Sequence, residues 1–410
     1  MAAETEALTL TKRKLILRDS LAIFSLALAT VVLFAITLFL FRSFSAHRAD
    51  LAQRWSERGR AALQAGKPGE AIVDLRTALS YSPGTRAYEL LLAEALGEAG
   101  DTDASYDYFM SLWDAEPGNG FVNLELARLS AKRRNPKDAV RYYRAAIYGT
   151  WEGDGVARRA EVRLELARYL IAQHDFGAAR TELLIAGGNS PDDYDRYMTI
   201  GDLLQQAQDP ADAWVYYQKA IAAKPGDPAA LEAAGRLAYQ IGDYEDAHRL
   251  LARALAAGQG TLPQKADDVA MTDASARILE LMPSSSLPAR ERVAHVLAAR
   301  AIAKKWFADC SAQLAPANQT PSALQGLAAR WGGADGTSNA AALLEEPARQ
   351  DGAMQLVYET EVQIEALCGP ASGDDALLLR LATTPSRSAP PAAANSPATV
   401  GTTSEFGEGK

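Results

Sequence analysis

Residues 194–227 of this chain read YDRYMTIGDLLQQAQDPADAWVYYQKAIAAKPGD. Small residues, such as Gly201 and Ala213, allow two helices to approach closely, since larger side chains there would push them apart. The bulky Tyr217 would fill the hollow between this helix pair and the next. Pro225 stops the second helix because proline cannot continue a helical hydrogen-bond pattern. The stretch therefore predicts an antiparallel pair of helices.

The same arrangement recurs along the chain with a period of 34 residues. Ala71, Ser105 and Ala139 align at this spacing without a gap, and so do three later alanines: Ala179, Ala213 and Ala247. Self-similarity at a fixed period is typical of repeat architectures. The period predicts six helix pairs, over residues 52–85, 86–119, 120–153, 160–193, 194–227 and 228–261. Six extra residues separate the third block from the fourth, where we expect a longer loop.

The pattern resembles that of the tetratricopeptide repeat family. The first block carries a tryptophan, two glycines, alanines and a proline at the family's places: Trp55, Gly59, Gly66, Ala71, Leu75, Ala78 and Pro83. The resemblance covers about half of the chain. It implies an all-α fold, a right-handed α-solenoid of helix-turn-helix repeats whose first helices line a concave groove.

An apolar segment precedes the repeats. Residues 21–41 hold no charge, and 14 of these 21 positions are Leu, Ile, Val or Phe. A helix of this length spans roughly 30 Å, about the thickness of the hydrocarbon core of a bilayer. The segment is longer than the apolar core of most cleaved signal peptides, and Arg42 follows it at once. We therefore expect one transmembrane helix, between an N-terminal basic tail (1–20) and a linker (42–51).

The charges that flank this segment bear on its orientation. Lys12, Arg13, Lys14 and Arg18 precede it, whereas Arg42, Arg48 and Arg54 follow it within a short distance. Cytoplasmic flanks carry an excess of Lys and Arg, so this narrow margin favours a cytoplasmic N-terminus and an exported C-terminal part. The protein would then be a single-pass protein of a bacterial inner membrane, with its repeats in the periplasm.

The region 262–383 is predicted to be helical and to cap the open end of the solenoid. A degenerate seventh repeat fits residues 291–321, and further helical patterns recur around 320–331, 338–348, 350–367 and 374–383. Cys310 and Cys368 are the only cysteines. In an oxidising compartment they could form a disulfide; the alternative is that Cys310 packs as a buried free thiol. Residues 384–410 have few apolar side chains, which predicts a disordered tail.

Catalytic, metal and nucleic-acid patterns are not found in the sequence. The net charge of -9 argues against nucleic acid as the ligand. The four histidines are dispersed, and no phosphate-binding loop, dinucleotide fingerprint or nucleophile elbow occurs. We expect no enzyme activity, no metal, no cofactor and no small-molecule substrate.

The predicted function is therefore that of a membrane-anchored scaffold or adaptor that binds protein partners in bacterial envelope assembly or secretion. The repeat geometry assigns ten residues to the concave face: Arg60, Leu90, Phe121, Leu124, Arg128, Leu164, Arg168, Met198, Arg236 and Tyr239. A row of arginines beside an apolar strip suits a segment with apolar anchors and acidic flanks, unless nearby carboxylates pair with these arginines. Two alternatives are a receptor or adaptor that faces the cytoplasm, and an enzyme with its active site in 262–383.

Overall fold

The computed structural model of the chain describes residues 2–188, 193–258, 265–314, 322–333 and 339–384. Within these ranges the chain forms eighteen α-helices and no β-strand. The predicted all-α class of tandem helix pairs is confirmed, whereas the right-handed sense of the solenoid stays a prediction. The chain divides into two compact units, Met1–Leu166 and Ala167–Lys410.

The first unit begins with a single long helix, α1 (Ala2–Gln64). This helix contains, without a break, the predicted basic tail, the transmembrane segment, the linker and the first helix of the first repeat. No glycine or proline occurs before Gly59, so nothing in this sequence interrupts the backbone hydrogen bonds. Residues 42–51, predicted as a linker, are therefore helical, and Arg48 donates a hydrogen bond to the Tyr81 carbonyl at 2.7 Å.

Two helices lie in each of the six predicted blocks. After α1, these are α2 (Pro68–Tyr81), α3 (Arg86–Glu98), α4 (Thr102–Ala115), α5 (Gly120–Lys132), α6 (Pro136–Tyr148), α7 (Gly155–Ala172), α8 (Phe176–Gly188), α9 (Tyr194–Gln206), α10 (Pro210–Ala223), α11 (Pro228–Gln240) and α12 (Tyr244–Gly258). The turn before each second helix contains one residue with a positive φ: Gly66, Gly100, Arg134, His174, Gln208 and Gly242. From the second repeat onward, an Asp or Asn follows that residue and caps the next helix through its side chain.

The insertion after the third block lengthens a helix more than a loop. The connection after α6 covers only residues 149–154, and α7 has 18 residues where α3, α5 and α9 have 13. The expected longer loop is present, with six residues against four after α2, α4 and α10, but most of the insertion extends α7. Asp154 begins this helix by accepting hydrogen bonds from the backbone amides of Val156 and Ala157.

The C-terminal part of the second unit is a helical bundle. Its helices are α13 (Lys265–Leu281), α14 (Ala289–Leu314), α15 (Ser322–Gly333), α16 (Ala340–Glu345), α17 (Pro347–Cys368) and α18 (Gly373–Thr383). They enclose an apolar core that includes Val296, Leu327, Val357 and Leu378. Helix α13 packs along α12 of the last repeat, so this region caps that repeat.

The predicted seventh repeat is corrected by this structure. A helix-turn-helix pair needs a turn, but α14 is one helix of 26 residues across most of the segment 291–321. The sequence 289–314 contains neither glycine nor proline, so its alanine-rich pattern continues as a single helix. The predicted tail lies outside the described residues, except for Thr384.

Candidate partner-binding groove

Two adjoining open cavities lie on the first helices of the repeats in the first unit. Their volumes are about 470 Å³ and about 780 Å³, and both are lined by Glu94 of α3 and Phe121 of α5. We call the surface that they share with their lining residues the first-unit groove. Besides Glu94 and Phe121, its main lining residues are Leu90, Glu98, Phe109, Glu125, Arg128, Lys132, Trp151, Arg158 and Glu165.

Aromatic and aliphatic side chains form the floor of the first-unit groove. The ring of Phe121 is half-buried and lies 6.4 Å from the ring of Phe109, which is fully buried. Trp151 donates a hydrogen bond from Nε1 to the Ala146 carbonyl at 2.8 Å, which holds the indole in place. Its ring covers Gly120, where a Cβ atom would overlap the indole. The floor is therefore apolar and preformed.

Arg128 is bound on both sides by carboxylates. Its Nε and Nη2 atoms donate to the two oxygens of Glu165 at 2.8 and 2.7 Å, and Nη1 donates to Glu125 at 2.7 Å. Tyr143 also donates to Glu165, at 2.8 Å. These bonds raise the pKa of Arg128 above its ordinary value. The guanidinium thus already has the bidentate partner that a bound acidic segment would have supplied.

Glu94, which lines both cavities, is in a different electrostatic setting. Burial is the main cause that raises the pKa of this carboxyl to about 7, and Glu125 and Glu98 raise it further. Arg60 acts in the opposite direction but has the smallest effect of the four. Burial also raises the pKa of Glu125. The local field at Glu94 therefore favours a positive charge.

Two of the residues predicted for the groove belong to the core instead. Leu124 is 8% exposed and Leu164 is 3% exposed. Their assignment to an accessible surface is thus corrected: both side chains pack between helices, as apolar side chains do when a neighbouring helix is near. Leu90, Phe121 and Arg128 do line the first-unit groove. Arg60 is exposed and close enough to Glu94 to affect its pKa.

The predicted residues of the second unit do not form one open surface. Arg168 is exposed and Met198 is half-buried. Arg236 forms ion pairs with Glu232 and with the fully buried Asp268 of α13. The guanidinium of Arg380, on α18, lies 3.9 Å from the ring centroid of Tyr239 and donates to the Tyr239 carbonyl at 3.0 Å. Helices α13 and α18 therefore cover the face on which Arg236 and Tyr239 lie.

The sequence reasoning did not place Glu94, Glu125, Glu165 or Trp151 in the groove. Glu94 occupies the same repeat position as Arg60 and Arg128, so the family geometry already places it on the same face. Glu125 and Glu165 also occupy equivalent positions once the insertion is allowed for. Trp151 stands where the family usually has proline, and this departure was the signal that could have identified it.

Cys310 and Cys368 are joined as a disulfide in this structure. Their Cα atoms are 5.9 Å apart, within the usual range for a disulfide, and the bond links α14 to the end of α17. In the part of the chain that the structure describes, no three His, Cys, Asp or Glu side chains are arranged so that they could hold a metal ion.

The helix pairs, their turns and their small-residue contacts define a helical repeat protein. Models of the tetratricopeptide repeat match residues 56–119, 164–228 and 204–266. The chain therefore contains tetratricopeptide repeats over these residues, and such repeats are scaffolds for protein interactions. Comparison with curated proteins finds no match.

Solved structures with similar helical repeats include PilF of Pseudomonas aeruginosa, with 16% sequence identity and a TM-score of 0.39, over 55% of this chain and 99% of that one. PilW, described as a type IV pilus biogenesis factor, has 16% identity and a TM-score of 0.39, over 53% and 98% of the two chains. The C-terminal part of a repeat protein from Cytophaga hutchinsonii has 13% identity and a TM-score of 0.45, over 59% and 94%.

Proposed function

We propose that this protein is a membrane-anchored scaffold that binds protein segments in the first-unit groove, in the envelope of a bacterium. In this proposal α1 crosses the inner membrane, the repeats lie in the periplasm, and the bound segments belong to proteins of envelope assembly or secretion. The binding function is inferred from the first-unit groove, which is open, apolar at its floor and lined by charges at its rim.

The exposed apolar part of α1 supports the membrane anchor. Among the described helices, α1 is the one long and apolar enough to cross a bilayer, and none of its apolar stretch is buried in the protein. Large side chains such as Phe24, Leu33 and Phe39 are at least 65% exposed. The 14 Leu, Ile, Val and Phe residues favour insertion by roughly 4 to 8 kcal/mol. A bilayer would bury these side chains.

Two independent features support export of the part after the anchor. The cluster Lys12, Arg13 and Lys14 precedes the apolar segment, and such clusters are retained in the cytoplasm. The disulfide between Cys310 and Cys368 suits an oxidising compartment such as the periplasm, because cytosolic thiols are kept reduced.

Reporter fusions test the topology. Alkaline phosphatase fused after Thr383 is expected to be active, since that enzyme needs export to form its disulfides, and a fluorescent protein at the same place is expected to stay dark. The opposite pair of results would favour the cytoplasm-facing receptor.

Site-specific photo-crosslinking tests the groove. A photoreactive phenylalanine at position 121 should form adducts with another protein in native cells. The control is the same residue at position 73 on α2, where Val73 is 63% exposed and lies outside the groove lining. Adducts from position 73 but not from position 121 would refute binding in the first-unit groove.

A further inference from the structure

We propose that the occupant of the first-unit groove is a basic segment, in which a Lys or Arg binds Glu94 while a neighbouring apolar side chain packs on Phe121. This inference rests on the proposed function, because it names the chemistry of the partner that the groove takes. It replaces the acid-flanked segment that the row of arginines had suggested.

The charges that line the groove are mainly negative. Three cations line the two cavities, which are Arg128, Lys132 and Arg158, against six carboxylates: Glu94, Glu98, Glu116, Glu125, Glu152 and Glu165. Arg128 is engaged by Glu125 and Glu165, and Glu116 pairs with Arg86. Of the lining charges, this leaves Glu94, Glu98 and Glu152 against Lys132 and Arg158. Opposite charges across an interface guide association and exclude partners of the wrong sign. These carboxylates would repel an acidic segment, whereas a basic segment would neutralise their charge.

The position of Glu94 defines where the cation of the partner would lie. Glu94 and Phe121 line both cavities, so a segment that passes from one cavity to the other must cross this pair. A Lys or Arg side chain could pack its methylene groups on the ring of Phe121 and bring its charge to the carboxylate. The bound cation would offset the repulsion from Glu125 and Glu98, which Arg60 offsets only in part.

The charged groups that face Glu94 come from three helices. Glu98 lies on the same helix as Glu94, α3, and Arg60 lies on α1. Glu125 lies on α5, where the ion pair with Arg128 neutralises part of the charge of Glu125. The two glutamates raise the pKa of Glu94 more than Arg60 lowers it. A bound Lys or Arg would reverse this balance and favour the ionised carboxylate.

Selection from a random peptide library separates this inference from the proposed function. The full-length protein in lipid nanodiscs serves as the target, and its Phe121→Ala variant serves for counter-selection. Enrichment of Lys or Arg beside aliphatic or aromatic residues is expected. If the enriched peptides are acidic or uncharged, the inference is wrong while groove binding stands. If no peptide depends on Phe121, both are wrong.

A selected peptide that contains no histidine is then titrated at different pH values. Because Glu94 must be ionised to bind the cation and has a pKa of about 7 when the groove is empty, affinity should rise about tenfold from pH 6 to pH 8. In the Glu94→Gln variant, the affinity at pH 8 should fall by about tenfold, the loss of one charge-assisted contact. The rise with pH should also disappear.

The matched control is Glu245→Gln, at an exposed position in the first turn of α12. It removes the same charge outside the groove and should keep both the affinity and its pH dependence. Glutamine nearly matches glutamate in shape, and an unchanged circular dichroism spectrum would show that the Glu94 variant folds. Equal affinities of the folded Glu94→Gln variant and the unmodified protein at pH 8 would overturn the inference.

Discussion

Arg236 of α11 forms an ion pair with Asp268 of α13, with Nη2 and Oδ1 2.6 Å apart. Asp268 has no exposed surface, and the side chain of Arg236 is only 17% exposed. Burial raises the pKa of Asp268, whereas Arg236 lowers it. The arginine that the repeat pattern assigned to an accessible groove thus binds the C-terminal bundle to the last repeat.

Asp268→Ala should destabilise the second unit. Removing one partner of a buried ion pair leaves the other charge uncompensated, which typically costs 3–5 kcal/mol. Glu232 still pairs with Arg236, so we expect a loss of about 2 kcal/mol in the free energy of unfolding, measured by chemical denaturation. The double variant Arg236→Met with Asp268→Leu should recover most of this loss. A double variant as unstable as the single one would contradict this account.

Close packing at Gly201 gives a second prediction. A Cβ atom at this position would lie 2.6 Å from Cε1 of Tyr217, a ring that is almost fully buried in the same repeat. Gly201→Ala should therefore force the helices apart and lower the free energy of unfolding by about 1–3 kcal/mol, as overpacking does. Thermal denaturation of the full-length variant measures this effect.

Gly177→Ala is the matched control in α8. Nothing lies within 4 Å of a Cβ atom placed there, and the residue is exposed. The same substitution should be neutral or stabilise by up to about 1 kcal/mol, because alanine favours the helix. If both variants lost stability equally, the close approach at Gly201 would not be the cause.

The repeat helices could be predicted closely from the sequence because each repeat carries its own local signals. In block 86–119, for example, Gly100 supplies the positive φ of the turn and Asp101 caps the next helix. Both signals recur in other blocks, so the helix boundaries predicted in one block can be checked against those of the neighbouring blocks. Small residues at the helix contacts are equally local, and Gly59 meets Leu75 just as Gly201 meets Tyr217.

The character of the groove could not be predicted in the same way. Arg128 binds Glu165 across 37 positions of sequence, and Tyr239 is covered by Arg380 from a region outside the repeats. Such pairs depend on how long side chains and non-repeated helices pack in three dimensions. Equivalent repeat positions therefore identified the face on which Arg60, Glu94 and Arg128 lie but not their charge partners.

The disulfide between Cys310 and Cys368 gives a third prediction. It closes a loop with a sequence separation of 58, for which the chain-entropy estimate is about 4 kcal/mol of stabilisation. The denatured protein should release two thiols only after reduction, as thiol labelling would show. The variant with both cysteines changed to alanine should unfold at lower denaturant concentration and be insensitive to reductant. Equal labelling with and without reductant would rule the bond out.

The fourth prediction concerns the carboxyl of Glu361, which lies on α17 and has no exposed surface. Burial, and then repulsion by Asp375 of α18, raises its pKa to about 8. The pKa of Asp375 is itself raised to about 6, by burial, Asp374 and Asp309, whereas Lys305 of α14 lowers it. Glu361 is therefore mainly protonated in the folded protein at neutral pH.

The sign of the pH effect on stability follows from proton binding. Between the ordinary pKa of 4.5 and about 8, the folded state holds a proton on Glu361 that the unfolded state has lost. The contribution of Glu361 is thus most favourable at acid pH and decreases as pH rises, by up to about 1.4 kcal/mol per pH unit. Above pH 8, the folded protein must bury a charged carboxylate.

Glu361→Gln removes this titration and should make the protein more stable than the unmodified chain at pH 9, by on the order of 2 kcal/mol. At pH 5 the two proteins should differ little, because Glu361 is neutral there in the folded state. Chemical denaturation followed by tryptophan fluorescence at both pH values measures the difference. Glu365→Gln, at an exposed position on the same helix, should show no such change with pH. Parallel stability profiles for the unmodified protein and Glu361→Gln between pH 5 and 9 would show that Glu361 does not titrate in this range.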